Sequence, residues 1–320
     1  MYFKWRRLYF LAVLLASLPK ISFGQSSNDT CEVGVFISSI YDLDYLHQSF
    51  TVEYWLWTLS DTALHHSLSS LEFPNAKLVT ISHPDNERRN SLSWSTEQCR
   101  STVIHQWNTL NFPFDAQTLH VVIEEADKTS DKLSLAVDSE NTKLSNWIAL
   151  DGWTIFPIKA HALTRTYATT YGDPDLKGSS NYSAVELDIH MKRNGIGLFF
   201  KLFSGVYIAF AIAMMVFFFQ PTSEVRYSLA VGALFAAVAN KYIIDSLLPA
   251  TVGFTLVDKI HVITFLYILG VVMFSGIALH LQHIGKHSDS DKLDKRAMWL
   301  LLFSYVAINA FFILRATLQA

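Results

Sequence analysis

Phe112-Pro113-Phe114-Asp115-Ala116-Gln117-Thr118-Leu119 is the stretch on which the fold turns. Proline donates no ladder hydrogen bond and biases its predecessor toward extended geometry. An aromatic-Pro-aromatic-Asp knuckle therefore cannot lie inside a regular strand. Beyond it, Leu119, Val121 and Ile123 alternate with His120, Val122 and Glu124, the period-two pattern of a half-buried strand. Two rings and a carboxylate are thus held on a tight turn just before a strand. A turn this apolar needs an apolar surface to dock on, and the second half of the chain supplies one.

Outward from the knuckle, the segment from Cys31 to Met191 consists of short apolar runs and turn signals. Phe50, Val52, Tyr54 and Leu56 alternate with Thr51, Glu53, Trp55 and Trp57. Val185, Leu187, Ile189 and Met191 alternate with Glu186, Asp188 and His190. Leu133 to Val137 and Trp153 to Ile158 are shorter strand candidates. His83-Pro84-Asp85-Asn86, Asp138-Ser139-Glu140-Asn141 and Tyr171-Gly172-Asp173-Pro174-Asp175 read as turns between strands. The spacing predicts a sandwich of antiparallel strands with no long helix.

The 320 residues are 51% hydrophobic and 17% charged, with mean hydropathy +0.24, values suited to a chain that is half soluble and half membrane. A net charge of -3 argues against nucleic-acid binding. Lys4, Arg6 and Arg7 precede the apolar run Leu8 to Leu18 and the small residues at Ser22-Phe23-Gly24, the pattern of a secretory signal over 1–24; an uncleaved anchor is the other reading. Either way the following segment is exported. An oxidising compartment permits a disulfide between Cys31 and Cys99, and two separate buried thiols fit as well.

Four later stretches, Leu198 to Phe219, Tyr227 to Leu248, Val262 to Leu281 and Met298 to Leu318, are each long enough to cross a bilayer. With the strand domain (25–194) exported, the link holding Lys286, Lys292, Lys295 and Arg296 is cytoplasmic, as the positive-inside bias requires. The link from Leu248 to Lys259 and the C-terminus then face outward. In the second span Glu224, Ser228, Gly232, Phe235, Ala239, Tyr242 and Asp245 share one helical face. Ionisable groups at membrane depth usually meet a cavity or a partner. A ring of such helices would give acidic rings that select cations and an apolar constriction that gates by dewetting. Equally, Gly232, Ala233, Ala236, Ala237 and Ala239 suit a close-packed helix contact.

Together these residues resemble the pentameric ligand-gated ion channels, the Cys-loop receptor superfamily, and in particular its cysteine-less prokaryotic members. The resemblance rests on Phe112 to His120, Leu135-Ala136-Val137-Asp138, Gly152-Trp153, a basic residue before the first span, the four-span layout and Leu248-Pro249. It implies an all-β extracellular sandwich, immunoglobulin-like and of about ten strands, followed by an all-α four-helix transmembrane domain (195–320). It implies a homopentamer in a bacterial inner membrane, with the N-terminal domain and the C-terminus on the periplasmic side. Monovalent cations would pass a pore lined by the second helices, with Glu224 at the inner selectivity ring, Ser228 at a hydroxyl ring, Phe235 at the mid-pore gate and Asp245 near the outer acidic ring. His105 and Leu119 stand where the name-giving cysteines would be. Gly232, Phe235 and Lys241 depart from the usual pore pattern, and motivate the alternative of a non-conducting receptor on the same scaffold.

By the same resemblance, a small-molecule agonist binds between subunits under the hairpin Tyr167 to Tyr182. Tyr167, Tyr171 and Tyr182, with Trp55 and Trp57 across the boundary, would form an aromatic cage for an ammonium, and Asp138 and Glu140 would add charge. Aromatics on strands also serve simply as core packing. Protons are the second candidate stimulus, through His120, His190 or His261, expected near the junction of the two domains. Coupling is expected through Phe112, Pro113, Phe114 and Asp115, near Pro249, with Arg193 or Lys192 pairing with Asp115. No cofactor and no metal are expected. No nucleophile elbow, metal-ligand motif or phosphate loop points to an enzyme.

Overall fold

The computed structural model describes residues 29–61, 68–249 and 253–319; the expected signal segment 1–24 lies outside them. Among the described residues eleven strands precede four long helices. Strands β1 (Asp29–Asp44), β2 (Ser49–Asp61), β4 (Ala76–Arg89), β5 (Leu92–Ile104) and β7 (Leu133–Val137) form one sheet in the order β4-β5-β2-β1-β7, with β8 (Lys143–Leu144) beside β1. The second sheet runs β10-β11-β6-β3, from Lys159–Tyr167, Ser180–Arg193, Ala116–Thr129 and Leu71–Glu72, with β9 (Trp153–Ile155) beside β11.

The alternation in the sequence decides what each sheet buries. Val33, Val35 and Ile37 of β1, the Phe50-to-Leu56 series of β2, Leu119, Val121 and Ile123 of β6 and Val185 to Met191 of β11 are fully enclosed in one cluster. Because both sheets contribute to it, they face each other over a common core. Each such aliphatic side chain stabilises the fold by roughly 1.5–3 kcal/mol.

Two expectations are corrected here and one open choice is resolved. His83-Pro84-Asp85-Asn86 is not a turn between strands but lies within β4, at a register shift between Ser82 and Asp85, with His83 at φ +52°. The strand is at the sheet edge, where a proline deprives no neighbour of a donor and a bulge absorbs the extra residue. The strand begun at Trp153 ends at Ile155 rather than Ile158. Of the two readings left open for Cys31 and Cys99, buried free thiols is the one that holds. Cys99 pairs with Tyr54 and Tyr54 with Ile37, so β2 separates the two cysteine strands and Cys31 lies six residues further along β1. Two strand spacings alone are about 9.6 Å, beyond the roughly 7 Å reach of a disulfide. Burial pushes the Cys31 thiol up to about 12.

The helices are α1 (Ile196–Met214, tightening to a 3₁₀ turn over Met215–Phe218), α2 (Val225–Asp245), α3 (Leu256–His283) and α4 (His287–Gln319). All four are long and apolar enough to cross a membrane. Pro221 follows the end of α1, as a residue that cannot continue a helix. α3 starts earlier than its apolar run because Thr255 and Asp258 form a reciprocal capping box at its N-terminus. It ends at Gly285, whose φ of +78° is open to glycine at little cost. There the Gly285 and Lys286 N–H groups donate to the Gln282 and Leu281 carbonyls.

Candidate functional site

The junction between strands and helices is organised around Arg193, the last residue of β11. Its Nε donates to Asp115 Oδ1 at 2.8 Å, and its backbone N–H donates to the Asp115 carbonyl at 3.0 Å. Arg193 is 12% and Asp115 2% exposed, so the pair is withdrawn from water. The guanidinium lies 4.1 Å from the Trp153 ring centre and 5.2 Å from that of Phe112. It also bonds the Tyr45 hydroxyl, which reaches Asp115 Oδ2 at 3.4 Å. Gln117 Nε2 donates to the same oxygen at 2.7 Å. Burial, and then the Asp115 charge, push the Tyr45 phenol well up, so it stays a neutral donor. A buried charge needs such saturation, since an unpaired one costs several kcal/mol. The expected Arg193–Asp115 pair is thus present. Tyr45 was missed, because nothing in Leu43-Asp44-Tyr45-Leu46 distinguishes it from any loop tyrosine.

The knuckle docks on the helices as its apolar content requires. Phe112 and Phe114 belong to the helical cluster, not to the strand core. The Phe114 and Phe199 rings are 5.5 Å apart. Gly195, the residue before α1, lies so close that a β-carbon there would come within 2.0 Å of the Pro113 carbonyl oxygen. Proximity to Pro249 falls to the preceding residues instead. The Leu110 carbonyl accepts from the Leu256 N–H at 2.8 Å, and Thr109 shares a cleft with Lys241, Leu248 and Pro249. The knuckle therefore meets α1 at its apex and the α2–α3 link at its base.

On α2, all seven residues of the predicted face, Glu224, Ser228, Gly232, Phe235, Ala239, Tyr242 and Asp245, are exposed, Phe235 at 68% and Tyr242 at 76%. The opposite face, Arg226, Ala230, Ala233, Ala237 and Ile244, is buried against the other helices. The small residues are accordingly divided. Ala233 and Ala237 pack inward, while Gly232, Ala236 and Ala239 stay uncovered.

The charges on this helix are not equivalent. Arg226 is 1% exposed and turned inward, where Nη1 donates to Asp294 Oδ1 of α4 at 3.2 Å and Nε to the Phe219 carbonyl at 2.9 Å. Lys241 reaches Asp245 Oδ1 at 2.6 Å and Asp258 Oδ1 of α3 at 2.8 Å. One ammonium is thus shared by two carboxylates, and Asp245 is compensated only in part. Glu224 makes no ion pair among the described residues.

The strand domain brings together part of the predicted ligand site. Tyr167, Tyr171 and Tyr182 form a trio with ring centres 5.8–6.3 Å apart. The Tyr167 hydroxyl donates to Glu124 at 3.1 Å. Trp57 lies on the other sheet, donates to Asp138 Oδ2 at 3.1 Å and covers Gly34. Trp55 faces His83, with ring centres 6.1 Å apart, and Glu140 is exposed. Within one chain the tryptophans and the tyrosine trio form no common cage.

Of the histidines, His190 bonds Thr118 at 2.8 Å, and His261 is buried between Val257 and Asn240. His120 is not at the junction; it stands five residues up β6 from Asp115, about 17 Å at the strand rise. His105, unmarked except as a stand-in for cysteine, is enclosed edge-on by Phe50 and Trp107, and burial lowers its pKa to about 4.

No protein-family model and no curated protein matches the chain.

Proposed function

We propose that the chain is one subunit of a homopentameric ligand-gated cation channel of the cysteine-less, prokaryotic Cys-loop receptor type. In this reading the strand half is an immunoglobulin-like periplasmic domain, and the protein sits in a bacterial inner membrane. The observation that carries it is the uncovered face of α2. The helix is the least apolar of the four spans, and its uncovered side sets Glu224, Ser228, Gly232 and Asp245 in line with Phe235 and Tyr242, flanked by exposed apolar residues such as Val231, Leu234 and Val238. Five copies around an axis would turn that face onto water and remove the cost of exposing it to hydrocarbon.

Such a pore has a free acid ring at Glu224, a hydroxyl ring at Ser228 and a ring of Phe235 side chains midway. Cations would concentrate at Glu224, and the phenyl ring would close the pore by dewetting. Ligand entering at the Tyr167-Tyr171-Tyr182 trio would shift β10 and β11. Because β11 ends at Arg193 and Asp115 holds the knuckle, that shift would reach α1 through Phe114 and the α2–α3 link through Leu110. An amine is the ligand class suited to three aromatic faces, and it would compete there with the Arg165 guanidinium, 3.4 Å from Glu124 and 5.8 Å from the Tyr167 ring centre; protons are the other stimulus.

The test is current through purified protein in liposomes during a screen of amines and pH. Evoked cation current that falls in Glu224→Gln supports the reading. A wild type and a Phe235→Ala variant that both stay silent under every stimulus would overturn it. That outcome favours a non-conducting receptor, a reading motivated by the bulk of Phe235 and the Lys241 ammonium at the outer end.

A further inference from the structure

We propose that His120, Glu186 and Asp188, with His161 as a fourth donor, form a binding site for a divalent transition-metal ion of the zinc type on the solvent face of the second sheet. Backbone register builds the cluster. Asp188 of β11 pairs with His120 of β6, and Glu186 of β11 pairs with His161 of β10. Leu187 and Ile189 point into the core, so by strand alternation Glu186 and Asp188 share the outward face. Three adjacent strands therefore present two imidazoles and two carboxylates at one spot, on a rigid element.

The ligand atoms already converge. His120 Nδ1 lies 2.7 Å from Asp188 Oδ1 and 2.8 Å from Glu186 Oε1. His161 Nε2 is 3.7 Å from Glu186 Oε2, and His161 Nδ1 is 3.9 Å from Asp188 Oδ2. Tetrahedral zinc with bonds of about 2.0–2.1 Å holds its donors about 3.3 Å apart. One donor atom from each of His120, Glu186 and Asp188 lies within 4.8 Å of the other two, so these three form the core of the site, and His161, whose two nitrogens face different carboxylates, would join it by turning one nitrogen inward. A neutral imidazole nitrogen offers one proton or one lone pair and cannot satisfy two carboxylates at once. A dication at that point satisfies all of them and cancels both negative charges. Lys159, which pairs with Asp188 in register, forms no ion pair with it among the described residues. Mixed imidazole and carboxylate donors suit zinc, cobalt or nickel over calcium or magnesium. The carboxylates are 18–26% and the histidines 47–51% exposed, so an ion has free entry.

The experiment titrates metal-stripped, detergent-purified full-length protein with Co²⁺ and follows its visible absorption, then displaces it with Zn²⁺. One Co²⁺ per chain with a tetrahedral spectrum is expected. The affinity should fall more than about tenfold in His120→Gln, Asp188→Asn and Glu186→Gln. Zn²⁺ should raise the melting temperature of the wild type and not of these variants. The variants should melt like the wild type without metal, because the side chains lie on the surface. Equal binding by all four proteins, through histidines elsewhere such as His280, His283 and His287, would overturn the proposal. So would a wild type that binds no stoichiometric ion.

Discussion

Arg193 and Asp115 are joined twice, by side chain and by backbone, where the last strand hands over to the first helix. No covalent link holds the knuckle, so this pair and the rings around it fix its position. Asp115→Ala leaves the guanidinium buried without its carboxylate and should cost about 3–5 kcal/mol. Adding Arg193→Met should recover much of that loss, because an uncompensated charge is worse than none. Thermal unfolding of the single and double variants checks this coupling. In the channel reading, Asp115→Ala also abolishes evoked current while pentamers still assemble; an assembled variant that gates normally contradicts it.

Gly195→Ala should be among the least tolerated small substitutions. Its methyl group meets the Pro113 backbone oxygen rather than a flexible side chain, so the knuckle must lift from α1. A loss of about 1–3 kcal/mol is expected. Hydrogen exchange should show deprotection over 109–115 ahead of the strand core.

Phe114→Ala tests the same contact by removing it. Phe114 is 8% exposed and packs on Phe199. Its truncation should cost about 3–5 kcal/mol. The free thiols at Cys31 and Cys99, deep in the strand core, should keep their slow reaction with a thiol reagent if only the junction loosens.

The two acids at the ends of α2 should behave differently. In the channel reading, Asp245 is partly compensated by Lys241, so Asp245→Asn should lower cation current less than a change at Glu224. Glu224→Gln should reduce it several-fold. Equal effects from both substitutions, measured as unitary conductance, would contradict the assignment of Glu224 as the dominant acid ring.

His105 gives a pH dependence. Its folded pKa is lowered to about 4 by burial, below the ordinary value of 6.5. Between those values the unfolded chain binds a proton that the folded chain does not. Stability should therefore rise with pH across that window and be lost on acidification, by on the order of 3 kcal/mol in full. His105→Gln should flatten this part of the melting-temperature profile, obtained as the difference from wild type between pH 4 and 6.5.

Residue order alone determined which side of each element is buried. The period-two series of β2, β6 and β11, the four apolar spans, the uncovered stripe of α2 and the need of Phe112 and Phe114 for an apolar seat all follow from local pattern, because burial acts on every residue separately. A basic partner for Asp115 was expected from the family resemblance, with Arg193 and Lys192 both open, and the structure selects Arg193. Neighbourhood was not legible. Only the tertiary structure decided that β2 stands between Cys31 and Cys99, that Lys241 spends its charge on Asp245 and Asp258, that Arg226 turns inward to Asp294, and that Tyr45 closes the cage around Arg193. Those facts depend on strand order, register and helix rotation, which are set by packing across the whole chain and leave no mark at the positions themselves.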